Sequence, residues 1–112
     1  MNANEKMMSE LSDSTGVYIA PGTDAKFYLQ CLSDDVIKNK CEPFLAKAVV
    51  VAPGFPDLAE GSFIEGWCVA RKDGYWLVYH PGNDVFYCFW GSDVDDLGAH
   101  GVCGAPLYCW SA

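Results

Sequence analysis

The sequence predicts an α+β fold: an antiparallel β-meander over about residues 63–90, a C-terminal strand, and one or two short helices packed on the sheet. Two observations carry this. First, Phe63–Lys72, Tyr75–His80 and Val85–Trp90 are rich in aromatic and β-branched residues, which suit a pleated, half-buried surface. Second, the breaks between these runs have turn chemistry. Asp73-Gly74 is a preferred type I′ hairpin pair, and Pro81-Gly82-Asn83-Asp84 consists of turn formers throughout. A chain of 112 residues, 51% hydrophobic, suits a single domain with a core of its own. We assign that domain to residues 15–112 and a flexible N-terminal tail to residues 1–14.

The elements before the meander are read in order. Residues 1–14 are polar and weakly patterned, which fits a frayed tail or a short, poorly fixed helix. Val17–Ala20 is a short strand candidate between Gly16 and Pro21-Gly22. Thr23 or Asp24 suits the cap of a helix through Ala25–Leu32, yet Phe27, Leu29 and Cys31 alternate equally well as a strand. Ser33 suits the cap of a helix from Asp34 to about Glu42, with acids in its first turn and Pro43 interrupting it. Ala48–Ala52 reads as a buried strand and Pro53–Asp57 as a loop. After Gly91, the glycine- and aspartate-rich stretch Ser92–Gly104 reads as a loop, and Ala105–Trp110 as the terminal strand.

Turn geometry extends to register. The Asp73-Gly74 turn pairs Lys72 with Tyr75, Arg71 with Trp76, Ala70 with Leu77 and Cys68 with Tyr79. The next turn pairs His80 with Val85 and Tyr79 with Phe86. One face then carries Cys68, Ala70, Leu77, Tyr79, Phe86 and Cys88. The other carries Trp67, Val69, Arg71, Trp76, Val78, His80, Val85, Tyr87 and Phe89. A half-exposed sheet alternates apolar with polar, whereas this one is apolar on both faces. The second face needs a cover: more of this chain, a second subunit or a ligand. Unless the chain's own segments supply it, Trp67, Trp76, Tyr87 and Phe89 belong to an interface, with a homodimer as one option.

The six cysteines contain no C-x-x-C pair and sit mostly in apolar surroundings, as in Tyr87-Cys88-Phe89 and Tyr108-Cys109-Trp110. They read as buried thiols. Cys68 and Cys88 fall on the first and third strands of the meander, about 10 Å apart at ~4.8 Å per strand, too far for a disulfide.

Charge narrows the function. The net charge is −8, with fifteen acids against seven bases. That disfavours direct binding to nucleic acid, where Lys and Arg contacts to phosphate supply most of the affinity, and to anionic membranes. Every Lys and Arg lies at or before Lys72, and beyond it the only charged side chains are Asp73, Asp84, Asp93, Asp95 and Asp96. The plain reading of the charge is solubility; the sharper one is a surface for a basic partner. No apolar run is long enough to span a membrane. The N-terminus lacks a basic start followed by an apolar run, so a cytoplasmic location is expected.

Candidate chemistry is sparse. Asp93-Val94-Asp95-Asp96 departs from a calcium loop, since Leu97 takes a ligand position and no distal Glu follows. No metal or cofactor is expected. His80 and His100 could each serve a cysteine as base, with Cys103 close to His100 in sequence. Against this stand ordinary roles at a strand end and in a loop. Glu65, beside Trp67 by alternation, is either a general acid with a raised pKa or an edge-strand charge that blocks aggregation. The second is preferred.

The aromatic meander joined to an acidic, base-free C-terminal third resembles small bacterial immunity and inhibitor proteins, by analogy and with no motif that carries a residue across. The function expected is therefore a small, acidic, cytoplasmic binding protein without catalysis, of inhibitor or immunity type, that recognises a basic protein. Its partner-binding residues would be Trp67, Trp76, Tyr87, Phe89, Asp93, Asp95 and Asp96. The alternative is a small-molecule binder or small enzyme with an apolar pocket between sheet and helix. An enclosed cavity lined by Trp67, Trp76 and Phe89 would favour that alternative.

Overall fold

Residues 2–111 are described by a computed structural model, in the order α1 (Ala3–Ser9), α2 (Ala25–Lys38), β1 (Lys40–Val50), β2 (Phe63–Lys72), β3 (Tyr75–His80), β4 (Val85–Trp90), β5 (Leu97–Gly104) and α3 (Pro106–Ser111). Met1 and Ala112, the outer ends of the expected tail and domain, lie outside the described residues. The α+β class and the antiparallel meander of residues 63–90 are both present.

The five strands close into a barrel in sequence order. Consecutive strands pair antiparallel. With an odd number of alternating strands, the first and last run the same way, so the closing contact is parallel: Ala48 pairs with Leu97, Val49 with Gly98 and Val50 with Ala99. Closure removes every sheet edge. Glu65 is therefore not the edge charge expected above, because β2 is paired on both sides.

The hairpin turn forms as its sequence predicts, with φ of 46° at Asp73 and 85° at Gly74. The β3–β4 register matches the predicted one, including His80 with Val85 and Tyr79 with Phe86. The β2–β3 register matches from Lys72 to Ala70 and then slips at a bulge, so that Cys68 pairs with Val78 and Trp67 with Tyr79. A bulge places two residues opposite one and turns the strand's alternation over.

That slip sorts two cores. Inside the barrel lie Ala46, Ala48 and Val50, Ile64 and Cys68, Trp76 and Val78, Tyr87 and Phe89, and Leu97 and Ala99. Outside it, Val69, Ala70, Leu77, Phe86 and Cys88 are covered by Ala3 and Met7 of α1, Leu11, Val36 of α2, and Leu107, Cys109 and Trp110 of α3. The two apolar faces are thus the barrel's interior and a helix-covered exterior. Cys68 and Cys88 end up on opposite faces, and all six cysteines are free.

Several elements differ from the sequence reading. The expected N-terminal tail carries α1, capped by the Asn2 side chain, which accepts from the Glu5 backbone N–H at 2.8 Å; Met7 is fully buried. Val17–Ala20 forms no strand. Asp24 caps α2 by accepting from the Phe27 N–H at 3.1 Å, and the helix runs through Ser33 to Lys38 without a break. A serine inside a helix costs only a few tenths of a kcal/mol, roughly, and does not stop one. Pro43 lies within β1, at the irregular register between Lys40 and Phe44, where its missing N–H is tolerated. The C-terminal strand is Leu97–Gly104 rather than Ala105–Trp110. Pro106–Ser111 is helical instead, with Pro106 preorganised for its first position.

Candidate partner-binding site

The β2–β3 turn and the β4–β5 loop lie side by side at one end of the barrel. The Gly91 N–H donates to the Gly74 carbonyl at 3.0 Å, and the Trp76 indole Nε1–H donates to the Gly91 carbonyl at 2.8 Å. The loop is shaped from within. The Asp93 side chain accepts from the Asp95 N–H at 3.0 Å, and its carbonyl accepts from the Asp96 N–H at 2.9 Å. Asp73, Asp93, Asp95 and Asp96 are all exposed there, alongside Tyr75 and Val94.

A groove of about 470 Å3 opens beside this end, between α2, α3 and the β2–β3 turn, with Tyr28, Leu32, Asp73, Tyr75 and Trp110 in its walls. Asp35 and Lys72 also line it and are engaged with each other. The Lys72 ammonium donates to both Asp35 oxygens, at 3.1 and 3.2 Å, and the Trp110 indole N–H donates to the carboxylate at 2.9 Å. The Trp110 hydrogen bond, the largest influence, holds the Asp35 carboxyl below the usual Asp range; burial, the next largest, opposes it, and the Lys72 hydrogen bond and charge add to the lowering. A depressed pKa stabilises the fold fully above the unfolded-state value of about 3.9, and that contribution is lost as pH falls through the folded value. Asp35→Ala is expected to lose about 1–2 kcal/mol at neutral pH, by orphaning the Trp110 N–H. Urea unfolding of both proteins should show the gap narrowing as the solution is taken below about pH 4. A gap that holds constant into acid would mean that the carboxylate's charge plays no part.

Of the residues expected to bind a partner, the structure brings Asp93, Asp95 and Asp96 together on the surface and leaves Trp67 40% exposed on the barrel's outer wall. Trp76, Tyr87 and Phe89 are inside the barrel, buried by the chain's own strands. They form no surface, and the interface expected of them is withdrawn. Nor do Trp67, Trp76 and Phe89 share a cavity, since Trp67 faces out while the other two face in. Asp73 was missed as a site residue, although a charged residue at the tip of a tight turn is necessarily exposed.

Cys31 is exposed, and the other five thiols are poorly suited to nucleophilic chemistry. Burial pushes Cys41, Cys103, Cys68 and Cys109 above the ordinary thiol range, and Cys88 up to about 12. A reactive cysteine requires the opposite shift. His80 Nδ1 accepts from the Asn83 N–H at 3.1 Å, and His100 stacks edge-on against Trp90 at 5.3 Å. Among the described residues, no three His, Cys, Asp or Glu side chains gather as a metal ion would need. No described helix is long and apolar enough to cross a membrane.

Fold and surface together define a small helix-covered, five-stranded barrel with one acidic end. No protein-family model, curated protein or solved structure matches the chain.

Proposed function

We propose that this protein is a non-catalytic binding protein of inhibitor or immunity type, acting in the cytoplasm, whose acidic barrel end recognises a basic protein surface. The observation that carries this reading is how the charges are used. Lys6 pairs with Glu10 and with Asp84, both at 3.1 Å, and Lys72 pairs with Asp35. Arg71 lies over the rings of Trp76 and Phe44, and Lys47 over that of Phe63. Among the described residues, Asp73, Asp93, Asp95 and Asp96 have no such partner. Asp93, Asp95 and Asp96 on one loop supply the negative potential, with Asp73 across from them beside Arg71 and Lys72, and Tyr75 and Val94 supply apolar contact.

Electrostatic complementarity acts mainly on association, and apolar anchors on dissociation. The triple change Asp93→Asn, Asp95→Asn, Asp96→Asn is expected to slow association with the captured partner by about tenfold at low salt and to flatten its salt dependence. Dissociation should change little. Tyr75→Ala should instead speed dissociation. Surface binding kinetics at two salt concentrations measure both. An acidic partner, or an association rate indifferent to salt, would sink the proposal.

A further inference from the structure

The helices cover Val69 and Ala70 at one end of β2 but leave three rows of the β1–β2 outer face exposed, with Trp67 at their border beside Asn2 and Ala3 at the start of α1. Three cross-strand pairs compose it, Leu45 with Trp67, Lys47 with Glu65 and Val49 with Phe63. Leu45 is 52% exposed, Phe63 62% and Trp67 40%, and Lys47 and Glu65 are exposed between them. No ion pair joins Lys47 to Glu65 within the chain; the Lys47 ammonium lies over the Phe63 ring at 4.7 Å, a contact it must leave to meet a carboxylate on another copy.

We propose that this face binds a second copy of the same chain. Place a two-fold axis in the plane of contact, parallel to the strands and midway between β1 and β2. Rotation about it lays β1 of one copy over β2 of the other, so each residue meets the counterpart of its own cross-strand partner. Lys47 then faces Glu65 of the other copy, and the reverse, giving two ion pairs that neither chain makes alone. Leu45 faces Trp67, and Val49 faces Phe63. Every apolar row sets a large ring against a smaller aliphatic side chain, as interdigitating sheet faces require. The perpendicular axis would instead place Lys47 on Lys47 and Glu65 on Glu65, so charge selects one of the two arrangements. A face of two strands and three rows is smaller than the roughly 800 Å2 per partner of a standard stable interface. The dimer is therefore a concentration-dependent one. This face adjoins the acidic loop, because Ala48 pairs with Leu97 and Asp96 precedes it, but the inference does not rest on the partner proposed for that loop.

Charge reversal tests it. Sedimentation equilibrium of the wild-type protein, from micromolar to about 1 mM, the weak end of specific association, should show the mass rising toward that of two chains. Lys47→Glu alone and Glu65→Lys alone should each remain monomeric across the series, because each sets like charges face to face. An equimolar mixture of the two variants should recover the dimer, since every 47–65 contact is again of opposite sign. Both positions are exposed, and near-ultraviolet circular dichroism establishes that each variant folds. A wild-type protein that stays monomeric to about 1 mM overturns the proposal and leaves the face to a different protein. Variants that dimerise alone, or a mixture that stays monomeric, also overturn it.

Discussion

Replacing Phe89 with alanine is expected to remove about 3–5 kcal/mol of stability, the usual cost of emptying a fully buried aromatic site. Phe89 has no exposed surface. It lies within the barrel, opposite Trp76 on β3 and Ala99 on β5, with the Tyr87 ring 6.4 Å away. Strands hydrogen-bonded on both sides cannot collapse inward to fill the space, so little of the loss is recovered. Urea unfolding at neutral pH measures it. A midpoint close to that of the wild type would contradict a closed barrel with this ring at its centre. Any loss of partner binding in this variant should track the unfolded fraction, since Phe89 has no surface to offer a partner.

Gly66→Ala is the second large effect expected. A methyl group there would lie 2.5 Å from the Tyr79 carbonyl oxygen and 2.7 Å from Val78 Cγ1. The first obstacle is backbone on the paired strand and cannot rotate aside. The barrel must widen locally or the β2–β3 register must slip, at a cost near the upper end of ordinary overpacking, about 3 kcal/mol. The same urea titration reads this, and an unchanged midpoint would show that β2 and β3 approach less closely than described.

The meander was legible in the sequence because its determinants are local. Asp73-Gly74 selects its own turn, and the pairs nearest that turn follow. The bulge between Cys68 and Ala70 was not legible, because its cause includes the strand on the other side: β1 slips against the same part of β2. β5 was hidden for a related reason. Gly98, Gly101 and Gly104 read as a loop, yet Gly101 has φ of +104°, and a Cβ there would sit 2.7 Å from the Gly54 carbonyl. Its glycine is what close approach demands, and its strand character comes from two neighbours rather than from propensity. Helix α2 was half legible. The Asp24 cap was a candidate, but alternating Phe27, Leu29 and Cys31 concealed a continuous helix.

The candidate site divides along the same line. Charge segregation is written in the composition, so Asp93, Asp95 and Asp96 could be picked out before their loop was seen. Alternation says which residues share a face but not which face becomes an interior. Trp76, Tyr87 and Phe89 were grouped correctly and turned to the wrong medium. Leu45 and Lys47, on the exposed β1–β2 face, fall between the expected helix and the expected strand, where Leu45 keeps a helical spacing with Ile37 and Cys41 that the strand overrides.

The parallel seam between β1 and β5 also bears on how this chain is made. A ribosome releases the sequence from its N-terminus, and each antiparallel pair of the meander is available as soon as its second strand emerges. The seam is different: Ala48 waits for Leu97, and Val50 for Ala99. Until those residues appear, Ala46, Ala48 and Val50 line a trough open to water along one side. The residues of α3 emerge after β5, and their Leu107, Cys109 and Trp110 complete the outer core. A nascent chain halted before Leu97 holds a sheet with both β1 and β4 as free edges, the state in which strands of neighbouring chains add to one another. The open sheet is thus an adhesive form on the way to the barrel, and the release of β5 and α3 ends that exposure.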